Sequence, residues 1–511
     1  MAKISYLGHA GFIVEHAGIR ILIDPWFYPA FLKSWFPYPD NRFLLDSVLG
    51  GKFDYLYISH LHQDHYDERL LRSLDKSIGV IAPKYRSREL QRRLKLLGFE
   101  NVTSVDHKDS MQLGRGVTAT VYLDTSHKED SGLLLDMDGL RFLDLNDCNP
   151  ALSQLPDNVD ILAAQYSGAM WYPNCYDYEP ELMQGKVEAV RSQLLETLCA
   201  KVRTTGCKWY VPSAGPACFL DPALDKFNDR KTTIFPHWED VSTQFASYGL
   251  NVEVLRIFPG DHVSHDVAGP TVHRTGQHTA DDLASYRKRR RNEWAEFYSG
   301  AEPQVTEEDL ARYFGKLQRR NTHLLGDFRK DIRVASGGKI WGVRLGEVAK
   351  EFVIESEEPL DPEYTFILSP RTLMQIVNGK EGWEEALLSM RVSLHRDPDV
   401  FDLKLMGLLR YGNHPIQTLQ MMREQTGGEM IERDGLRLQR FCPHAGEDLM
   451  FAKICNGVIE CPRHHWKWDI KTGKCIEGGT IPLKISIIDP ENRDQCMSKS
   501  SLSSEPKEPA D

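Results

Sequence analysis

Two short cysteine–histidine motifs near the C-terminal end constrain this chain more than any other feature. Cys442-x-His444 is followed, after sixteen intervening residues, by Cys461-x-x-His464. A proline follows each cysteine directly, and its fixed φ stiffens the loop that presents the ligands. The sequence therefore predicts a metal site built from two thiolates and two imidazoles on two facing loops.

That ligand set is the one a Rieske [2Fe-2S] centre requires, with two thiolates on one iron and two imidazoles on the other. We predict that Cys442, His444, Cys461 and His464 hold such a cluster. A Cys2His2 zinc knuckle is the alternative, but zinc modules rarely use a one-residue C-x-H spacing. Imidazole ligands raise the cluster potential to roughly −150 to +300 mV. This range suits electron delivery to an oxygen-activating iron elsewhere in the chain.

A second ligand-rich segment follows a strand in the N-terminal half. The strand FDYLYISH runs directly into HLHQDH (residues 60–65), which has four candidate ligands in six residues. Loops at strand ends are where scaffolds present ligands. We predict that His60 and His62 hold one metal ion, while Asp64 and His65 face a neighbouring position with room for a second. A polar loop that caps the following helix is the alternative.

The HxHxDH motif after a strand resembles the metallo-β-lactamase superfamily, a four-layer αββα sandwich. The resemblance implies a further ligand at His127, in TVYLDTSHKEDSG, and a bridging carboxylate at Asp147, in LRFLDLNDCNP. A solvated turn histidine and a helix N-cap aspartate are the alternatives. The last histidine of the family pattern has three candidates, namely His237, His262 and His265. The number of metal ions therefore stays open.

His9, in LGHAGF, fits the turn after the family's opening strand, where a histidine lies near the metals. A buried histidine with its hydrogen bonds satisfied in the core is the other interpretation. KISYLGHAGFIVEH and IRILIDPW are expected to be two strands joined by a turn at Gly18.

Several longer segments resemble CMP-N-acetylneuraminate hydroxylases, which also join a Rieske module to a metallo-β-lactamase-like domain. They are IDPWFYPAFLKSW, YISHLHQDH, LNDCNP, WYVPSAGP and SLHRDPDVF. In that family the cluster domain comes first. Here it comes last, an order that resembles the actinobacterial UDP-N-acetylmuramate hydroxylases. The resemblance implies an oxygen-dependent monooxygenase that hydroxylates the N-acetyl methyl group of a nucleotide-linked amino sugar. UDP-N-acetylmuramic acid, a peptidoglycan precursor, is favoured, with CMP-N-acetylneuraminate or a natural-product intermediate as alternatives.

A tethered electron carrier favours redox chemistry over the zinc hydrolysis common in the superfamily. Zinc cannot change oxidation state, and a hydrolase has no use for electrons. We therefore expect one or two irons, held by His60, His62, Asp64, His65, His127 and Asp147. O2 would be the oxidant. Electrons would come from NAD(P)H through an external reductase or ferredoxin, because the chain has no G-x-G-x-x-G fingerprint. A zinc hydrolase with a redox-sensing Rieske module is the competing hypothesis.

A chain of 511 residues is too long for one core and predicts about three domains of mixed α+β class. We expect a metallo-β-lactamase-like domain over residues 1–265 and a charged helical connector over 266–330. A small α/β module, weakly similar to the sterol-carrier fold, should cover 331–415. An all-β Rieske domain should cover 428–490. Residues 491–511 are rich in serine and proline and are expected to be disordered.

The composition of the chain indicates which kinds of partner and which cellular compartment to expect. The formal charge of −11 argues against nucleic acid. Ten thinly spread cysteines argue for a reducing compartment. The chain has neither a signal-like start nor a membrane-length apolar run, so we expect a cytoplasmic location without a membrane span.

Two further segments are either core or walls of a substrate site. One surrounds Trp26 and Trp35, and the other surrounds Ser167 and Trp171.

Overall fold

The computed structural model describes residues 2–126, 128–266, 269–276, 282–325, 328–346, 362–414, 418, 429–444, 446–462 and 465–488. The predicted ligands His127 and His464 and the predicted disordered tail lie outside these residues. So does the segment KEFVIES (350–356), for which the sequence predicts a strand. No helix in the described part of the chain has the length and apolar character needed to cross a membrane.

The N-terminal half contains two facing sheets. Its strands are β1 (Ala2–Gly8), β2 (Gly11–His16), β3 (Ile19–Ile23), β4 (Trp35–Phe36), β5 (Tyr55–Tyr57), β6 (Gly79–Pro83), β7 (Val102–Val105), β8 (Ser110–Gly114), β9 (Val117–Leu123), β10 (Ser131–Met137), β11 (Leu140–Asn146), β12 (Ile161–Gln165), β13 (Trp209–Ser213), β14 (Cys218–Phe219), β15 (Glu253–Val254), β16 (His262–Asp266) and β17 (Gly269–His273). One sheet has the order β17-β16-β1-β2-β3-β5-β6-β7, and the other has the order β15-β13-β12-β11-β10-β9-β8.

The two sheets pack face to face because alternate side chains of their strands are apolar. On β9, Val117, Ala119 and Val121 are buried in this shared core. Across it, Phe12 and Phe142 meet edge to face with ring centroids 5.5 Å apart. Such alternation is what a sheet with one buried face requires.

Helices cover both outer faces of the sandwich. They are α1 (Leu45–Leu49), α2 (Glu68–Ser73), α3 (Glu89–Leu96), α4 (Pro180–Thr205) and α5 (Trp238–Ser247). Leu70 and Leu90 bury α2 and α3 against the first sheet. Leu198 and Phe245 bury α4 and α5 against the second. The predicted αββα arrangement is therefore confirmed.

The prediction that KISYLGHAGFIVEH is a single strand is wrong. The structure divides it at residues 8–10 into β1 and β2, which pair antiparallel. Gly8 takes a φ of 105° at this turn, a value that glycine adopts readily, and His9 takes a φ of 54°. The turn places His9 at the edge of the sandwich that also carries the HLHQDH loop.

The middle of the chain adds α6 (Leu283–Arg289), α7 (Arg291–Ala295), α8 (Glu307–Leu325), β18 (Arg329–Ser336), β19 (Lys339–Gly346), β20 (Tyr364–Leu368), α9 (Pro370–Val377), α10 (Trp383–Leu388), β21 (Val392–Arg396) and α11 (Leu403–Tyr411). Their sheet has the order β19-β18-β20-β21. It is mixed, whereas the run of short strand-like segments before two helices in the sequence predicts a small antiparallel sheet. β20 joins beside β18 and runs parallel to it. The sequence GKEGWE (379–384) predicts a break between two helices, and the structure confirms it between α9 and α10.

The core of this middle module is continuous with the N-terminal half. Phe366 and Trp383 of the module belong to the same buried cluster as Trp26, Trp35 and Trp171. The indole nitrogen of Trp35 also donates to the backbone oxygen of Leu388, at 2.7 Å. Trp26 and Trp35 are therefore core, whereas Tyr28, Pro29 and Lys33 between them line a cavity. Apolar residues of α8 belong to this core too.

The C-terminal part consists of short strands. They are β22 (Met430–Arg433), β23 (Leu436–Gln439), β24 (Lys453–Cys455), β25 (Val458–Glu460), β26 (Lys467–Asp469), β27 (Cys475–Glu477) and β28 (Ile485–Ile487). They form sheets of order β22-β23-β28 and β24-β25-β26-β27. Their shared core contains Cys442, Cys461 and Trp468. The predicted all-β character is confirmed.

Candidate metal centre and cluster site

The HLHQDH loop follows β5, and Asp147 follows β11 directly. β5 runs parallel to β3 and β6, and β11 runs parallel to β12. The loops bring together His60, His62 and Asp147, whose ligand atoms lie within 4.8 Å of one another. Nε2 of His60 is 2.8 Å from Nδ1 of His62 and 3.8 Å from Oδ2 of Asp147. Bonds of about 2.1 Å at tetrahedral angles put donor atoms roughly 3.4 Å apart, so one ion fits among these three.

A second group lies beside the first and contains His9, Asp64 and His65. Nε2 of His9 is 2.9 Å from Oδ2 of Asp64, and Nε2 of His65 is 3.8 Å from the same oxygen. Oδ1 of Asp147 lies 3.4 Å from Nε2 of His65, so this carboxylate faces both groups. Asp147 therefore stays the proposed bridging carboxylate.

Three buried polar atoms of the two groups have no hydrogen-bond partner among the described residues. They are Oδ1 of Asp64, Nε2 of His65 and Oδ1 of Asp147. An unsatisfied buried group costs about 1–3 kcal/mol, and a cation bound at this place would satisfy these three atoms. Imidazole nitrogens with carboxylate oxygens are a ligand set for zinc or iron. The residues present therefore fit one or two such ions.

Buried polar side chains orient two of these histidines. Nδ1 of His60 lies 2.9 Å from the hydroxyl oxygen of Ser59 and 3.3 Å from Oδ1 of Asp130. Nδ1 of His65 lies 2.8 Å from Oδ2 of Asp24. These contacts turn each Nε2 atom toward the site. Neighbouring groups commonly fix the ring orientation of a metal-binding histidine in this way. Sequence reasoning does not identify Asp24 or Asp130. In the sequence, Asp24 is marked only by its place in the IDPW segment, and Asp130 only by its place shortly after His127.

The charges in this site favour the binding of cations. Burial lowers the pKa of His60 well below its usual value. Burial also opposes the charge on His65, but Asp147 and Asp64 outweigh it and raise the pKa of His65 well above the usual value. For Asp147, burial raises the pKa, while the histidines outweigh it and bring the pKa below its usual value. The carboxylate therefore stays ionised, and a bound metal would replace the proton on His65.

The candidates for the last histidine of the superfamily pattern lie elsewhere. His237 is the N-cap of α5. His262 stacks on His273 between β16 and β17, with centroids 4.5 Å apart. His265 packs edge-on against Trp209. Within the described residues, neither ligand group includes any of these three.

The middle module reaches the metal site instead. Oε1 of Glu384 lies 3.6 Å from Nε2 of His62, and Arg410 pairs with the same carboxylate. Gln63, inside the HLHQDH motif, donates from Nε2 to Oε2 of Glu381 at 2.9 Å. Sequence reasoning does not predict these contacts, because nothing near Glu384 has the spacing of a ligand motif.

Three predicted cluster ligands, Cys442, His444 and Cys461, lie in the described part of the chain. Cys442 and Cys461 are buried and form no disulfide. The ring of His444 stacks on Trp466 with centroids 4.3 Å apart and planes 12° apart. Burial and the nearby charge of Lys128 lower the pKa of His444 to about 3, so its imidazole is neutral, as a ligand must be. These residues fit a [2Fe-2S] cluster.

The loop that carries Cys442 and His444 docks on the N-terminal half. The hydroxyl group of Thr125 donates to the backbone oxygen of Gly446 at 2.9 Å, and that of Ser153 donates to Oδ2 of Asp448 at 2.7 Å. Gly446 has a φ of 70°, and a Cβ there would lie 2.7 Å from the backbone nitrogen of Ser126. Only glycine permits so close an approach.

One cavity of about 1330 Å³ connects the two sites within a single chain. His60, His62 and Asp147 line it on one side, and His444 and Trp466 line it on another. Its walls include Glu381, Glu384, Arg410 and residues 168–172. The predicted segment around Trp171 therefore reaches the cavity.

Comparison with known proteins agrees with this arrangement. Residues 3–193 match the model of the beta-lactamase superfamily domain, and residues 421–484 match that of the Rieske [2Fe-2S] domain. The first match includes the HLHQDH loop and Asp147, and the second includes Cys442 and Cys461. The chain thus joins a metallo-β-lactamase-like domain to a C-terminal Rieske domain.

Individual relatives match different shares of the chain. A Rieske 2Fe-2S iron-sulfur protein of Mycolicibacterium smegmatis is 29% identical, over 93% of this chain and 98% of its own length. The cytidine monophosphate-N-acetylneuraminic acid hydroxylase of Asterias rubens is 29% identical over 50% of this chain and 41% of its own. Among solved structures, the diiron β-hydroxylase CmlA from Streptomyces venezuelae covers 53% of this chain and 54% of its own, with 18% identity and a TM-score of 0.35. The chain is thus homologous to mycobacterial Rieske proteins and, in part, to N-acetylneuraminic acid hydroxylases.

Proposed function

We propose that this chain is a Rieske-fed monooxygenase that hydroxylates the N-acetyl methyl group of a nucleotide-linked amino sugar. The observation that carries the proposal is the shared cavity. The cluster ligand His444 and the metal-site residues His60, His62 and Asp147 all line it in one chain. An electron carrier and a metal pocket that open on the same space suit oxygen chemistry on a substrate held between them.

The proposed ligands belong to two sets. Cys442, His444, Cys461 and His464 would hold the [2Fe-2S] cluster, and His60, His62, Asp64, His65, His127 and Asp147 would hold iron. When bound, the cluster supplies single electrons and the iron supplies the activation of O2. The reaction consumes O2, two electrons and two protons, places one oxygen atom in a methyl C–H bond and releases the other as water. NAD(P)H, through an external donor, would supply the electrons.

The residues of the chain contribute orientation and protons. Ser59 and Asp130 hold His60, and Asp24 holds His65, so that both Nε2 atoms face the site. Glu381 lines the same cavity. Burial and the charge of Glu385 raise the pKa of Glu381 to about 7, so this carboxyl group holds a proton near neutral pH. The proposed role of Glu381 is to supply a proton at the cavity wall.

Charge along α8 supports an anionic substrate. Arg312, Lys316 and Arg320 lie at intervals of four residues, which places them on one helix face, and all three line the cavity. Cationic side chains of this kind bind phosphate groups. The domain order favours UDP-N-acetylmuramic acid, which carries a diphosphate, over CMP-N-acetylneuraminate. Such a precursor is made in the cytoplasm, which is the location we propose.

The proposal is tested by giving purified protein a panel of nucleotide sugars, O2 and a generic reducing system. The expected product carries one additional oxygen atom, detected by mass spectrometry. Metal analysis of the same sample should find roughly two cluster irons and one or two more per chain. Stoichiometric zinc with cluster iron alone, together with cleavage of an ester or amide and no uptake of O2, would support the zinc hydrolase hypothesis instead.

A further inference from the structure

The two ring nitrogens of His62 face different partners. Nδ1 lies 2.8 Å from Nε2 of His60, on the side of the metal site. Nε2 lies 3.6 Å from Oε1 of Glu384, on the side of the middle module. The side chain of His62 is 32% exposed, whereas that of His60 is 3% exposed. His62 therefore lacks the tight packing that surrounds His60, and the contact with Glu384 matters more for its orientation.

Glu384 is itself held in place. Nη2 of Arg410 donates to Oε1 of Glu384 at 2.5 Å, and Nε of Arg410 donates to Oε2. This two-point contact fixes the plane of the carboxylate as well as its position. The guanidinium group of Arg410 also lies 5.0 Å from the ring centroid of Trp171. Both partners of the pair are nearly buried, with side-chain exposures of 12% and 11%.

The backbone beneath Glu384 is anchored as well. Trp383, the preceding residue, is fully buried in the core that joins the middle module to the N-terminal half. Leu388, at the end of α10, accepts the hydrogen bond from the indole of Trp35. A change in the docking of the middle module would therefore move the carboxylate relative to His62.

We propose that Glu384 is a positioning residue for His62. Glu384 orients the imidazole ring so that Nδ1 can hold a metal ion, and Arg410 in turn fixes the position of Glu384. A metal on Nδ1 leaves the ring proton on Nε2, which faces Oε1 of Glu384 at 3.6 Å. A histidine ligand commonly donates its other N–H to such a group. The inference rests on the metal site of the proposed function, but not on its substrate or its oxygen chemistry. It makes the metal affinity of the N-terminal domain depend on a side chain from another part of the chain.

The test measures Zn²⁺ affinity of the full-length protein, with the Rieske cluster retained, by competition with a fluorescent chelator. Glu384→Gln should weaken binding by about 10- to 100-fold, the usual effect of removing such a partner. Glu384→Asp should recover part of the loss. Arg410→Lys should give an intermediate effect, because lysine does not make the two-point contact. The matched control is Glu363→Gln, which removes a carboxylate of the same module that pairs with Lys330. It should bind Zn²⁺ as the unaltered protein does.

The cluster absorption spectrum and the thermal unfolding temperature report whether each variant is folded. If Glu384→Gln is folded and binds Zn²⁺ within twofold of the Glu363→Gln control, the inference is wrong, whether or not the enzyme hydroxylates sugars. If Glu384→Gln does not fold, Glu384→Asp and Arg410→Lys decide the question by the same measurement. Tight Zn²⁺ binding that depends on Glu384, in a protein that yields no hydroxylated sugar, would support the inference and contradict the proposed function. The two proposals therefore fail by different results.

Discussion

The hydroxyl group of Thr125 donates a hydrogen bond to the backbone oxygen of Gly446. This contact joins the loop that carries His444 to the segment that leads to Asp130, which in turn lies against His60. The loop of the proposed electron carrier thus contacts, within one chain, the segment that leads to the proposed iron site.

We predict that Gly446→Ala disrupts this docking without loss of the cluster. The added Cβ would meet the backbone of Ser126. Product formation per cluster should fall at least about tenfold, since a shift of 1 Å alone can be that costly. The measurement is the rate of hydroxylated product, with the visible spectrum of the cluster recorded in parallel.

Gly435→Ala is the matched control for this variant. Gly435 also has a positive φ, of 74°, and a Cβ there would meet nothing within 4 Å. Both alanine variants carry a similar backbone strain of about 1–2 kcal/mol, but only Gly446→Ala has the steric conflict. Equal rates in the two variants would mean that the docking of this loop does not limit product formation.

His62→Ala should abolish product formation, to below about one hundredth of the normal rate, because it removes a proposed iron ligand rather than a supporting contact. The cluster lies in a separate core, so its visible spectrum should be unchanged. Product assays and absorption spectra on the same preparation check both statements. Loss of the cluster together with the activity would mean that the HLHQDH loop is structural.

Charge reversal on α8 should affect substrate binding selectively. Lys316→Glu should raise the KM for the nucleotide sugar roughly 5- to 20-fold with kcat nearly constant, since it replaces attraction for phosphate by repulsion. Arg319→Glu on the same helix is the control, because Arg319 is exposed but is not among the residues that line the cavity. Steady-state kinetics distinguish them. A similar rise in KM for both variants would indicate a general charge effect and no phosphate site on this face.

Glu381 gives a prediction about pH. Its pKa in the folded protein is raised to about 7 from an ordinary value of 4.5. The folded state therefore binds the proton more tightly than the unfolded state does. The stabilisation is fully present below about pH 4.5 and is lost as the pH rises through about 7.

Glu381→Gln, which copies the protonated form, should therefore match the unaltered protein near pH 5. It should be more stable near pH 8.5, by about 1 to 3 kcal/mol at most. Thermal unfolding temperatures of both proteins at the two pH values test this. If the difference in stability between Glu381→Gln and the unaltered protein is the same at pH 5 and pH 8.5, Glu381 is ionised in the folded state at both pH values.

Much of the architecture could be predicted because its signals are local. Alternating apolar residues such as Val117, Ala119 and Val121 indicate a strand with one buried face. Four ligands within HLHQDH indicate a metal loop. Local patterns also misled, since KISYLGHAGFIVEH has the pattern of one continuous strand although Gly8 and His9 turn the chain. A two-residue turn leaves the alternation on either side almost unchanged.

The residues that complete the site could not be predicted in the same way. Asp24 and Asp130 orient the histidines, yet each stands alone in its segment, with no spacing that marks it as part of a site. In the sequence, Glu384 belongs only to the break between two helices. Its contact with His62 depends on how the middle module packs on Trp35 and Trp171.

The sequence by itself determined the candidate ligand types, their spacing and their place on two loops, because these are properties of residues that are close along the chain. Only the tertiary structure decided that His444 and His62 line one cavity, that Asp147 faces both ligand groups, and that Glu384 and Arg410 reach His62. The physical reason is that contacts between distant segments follow from the packing of shared cores and the docking of loops, and neither leaves a periodic pattern in the sequence.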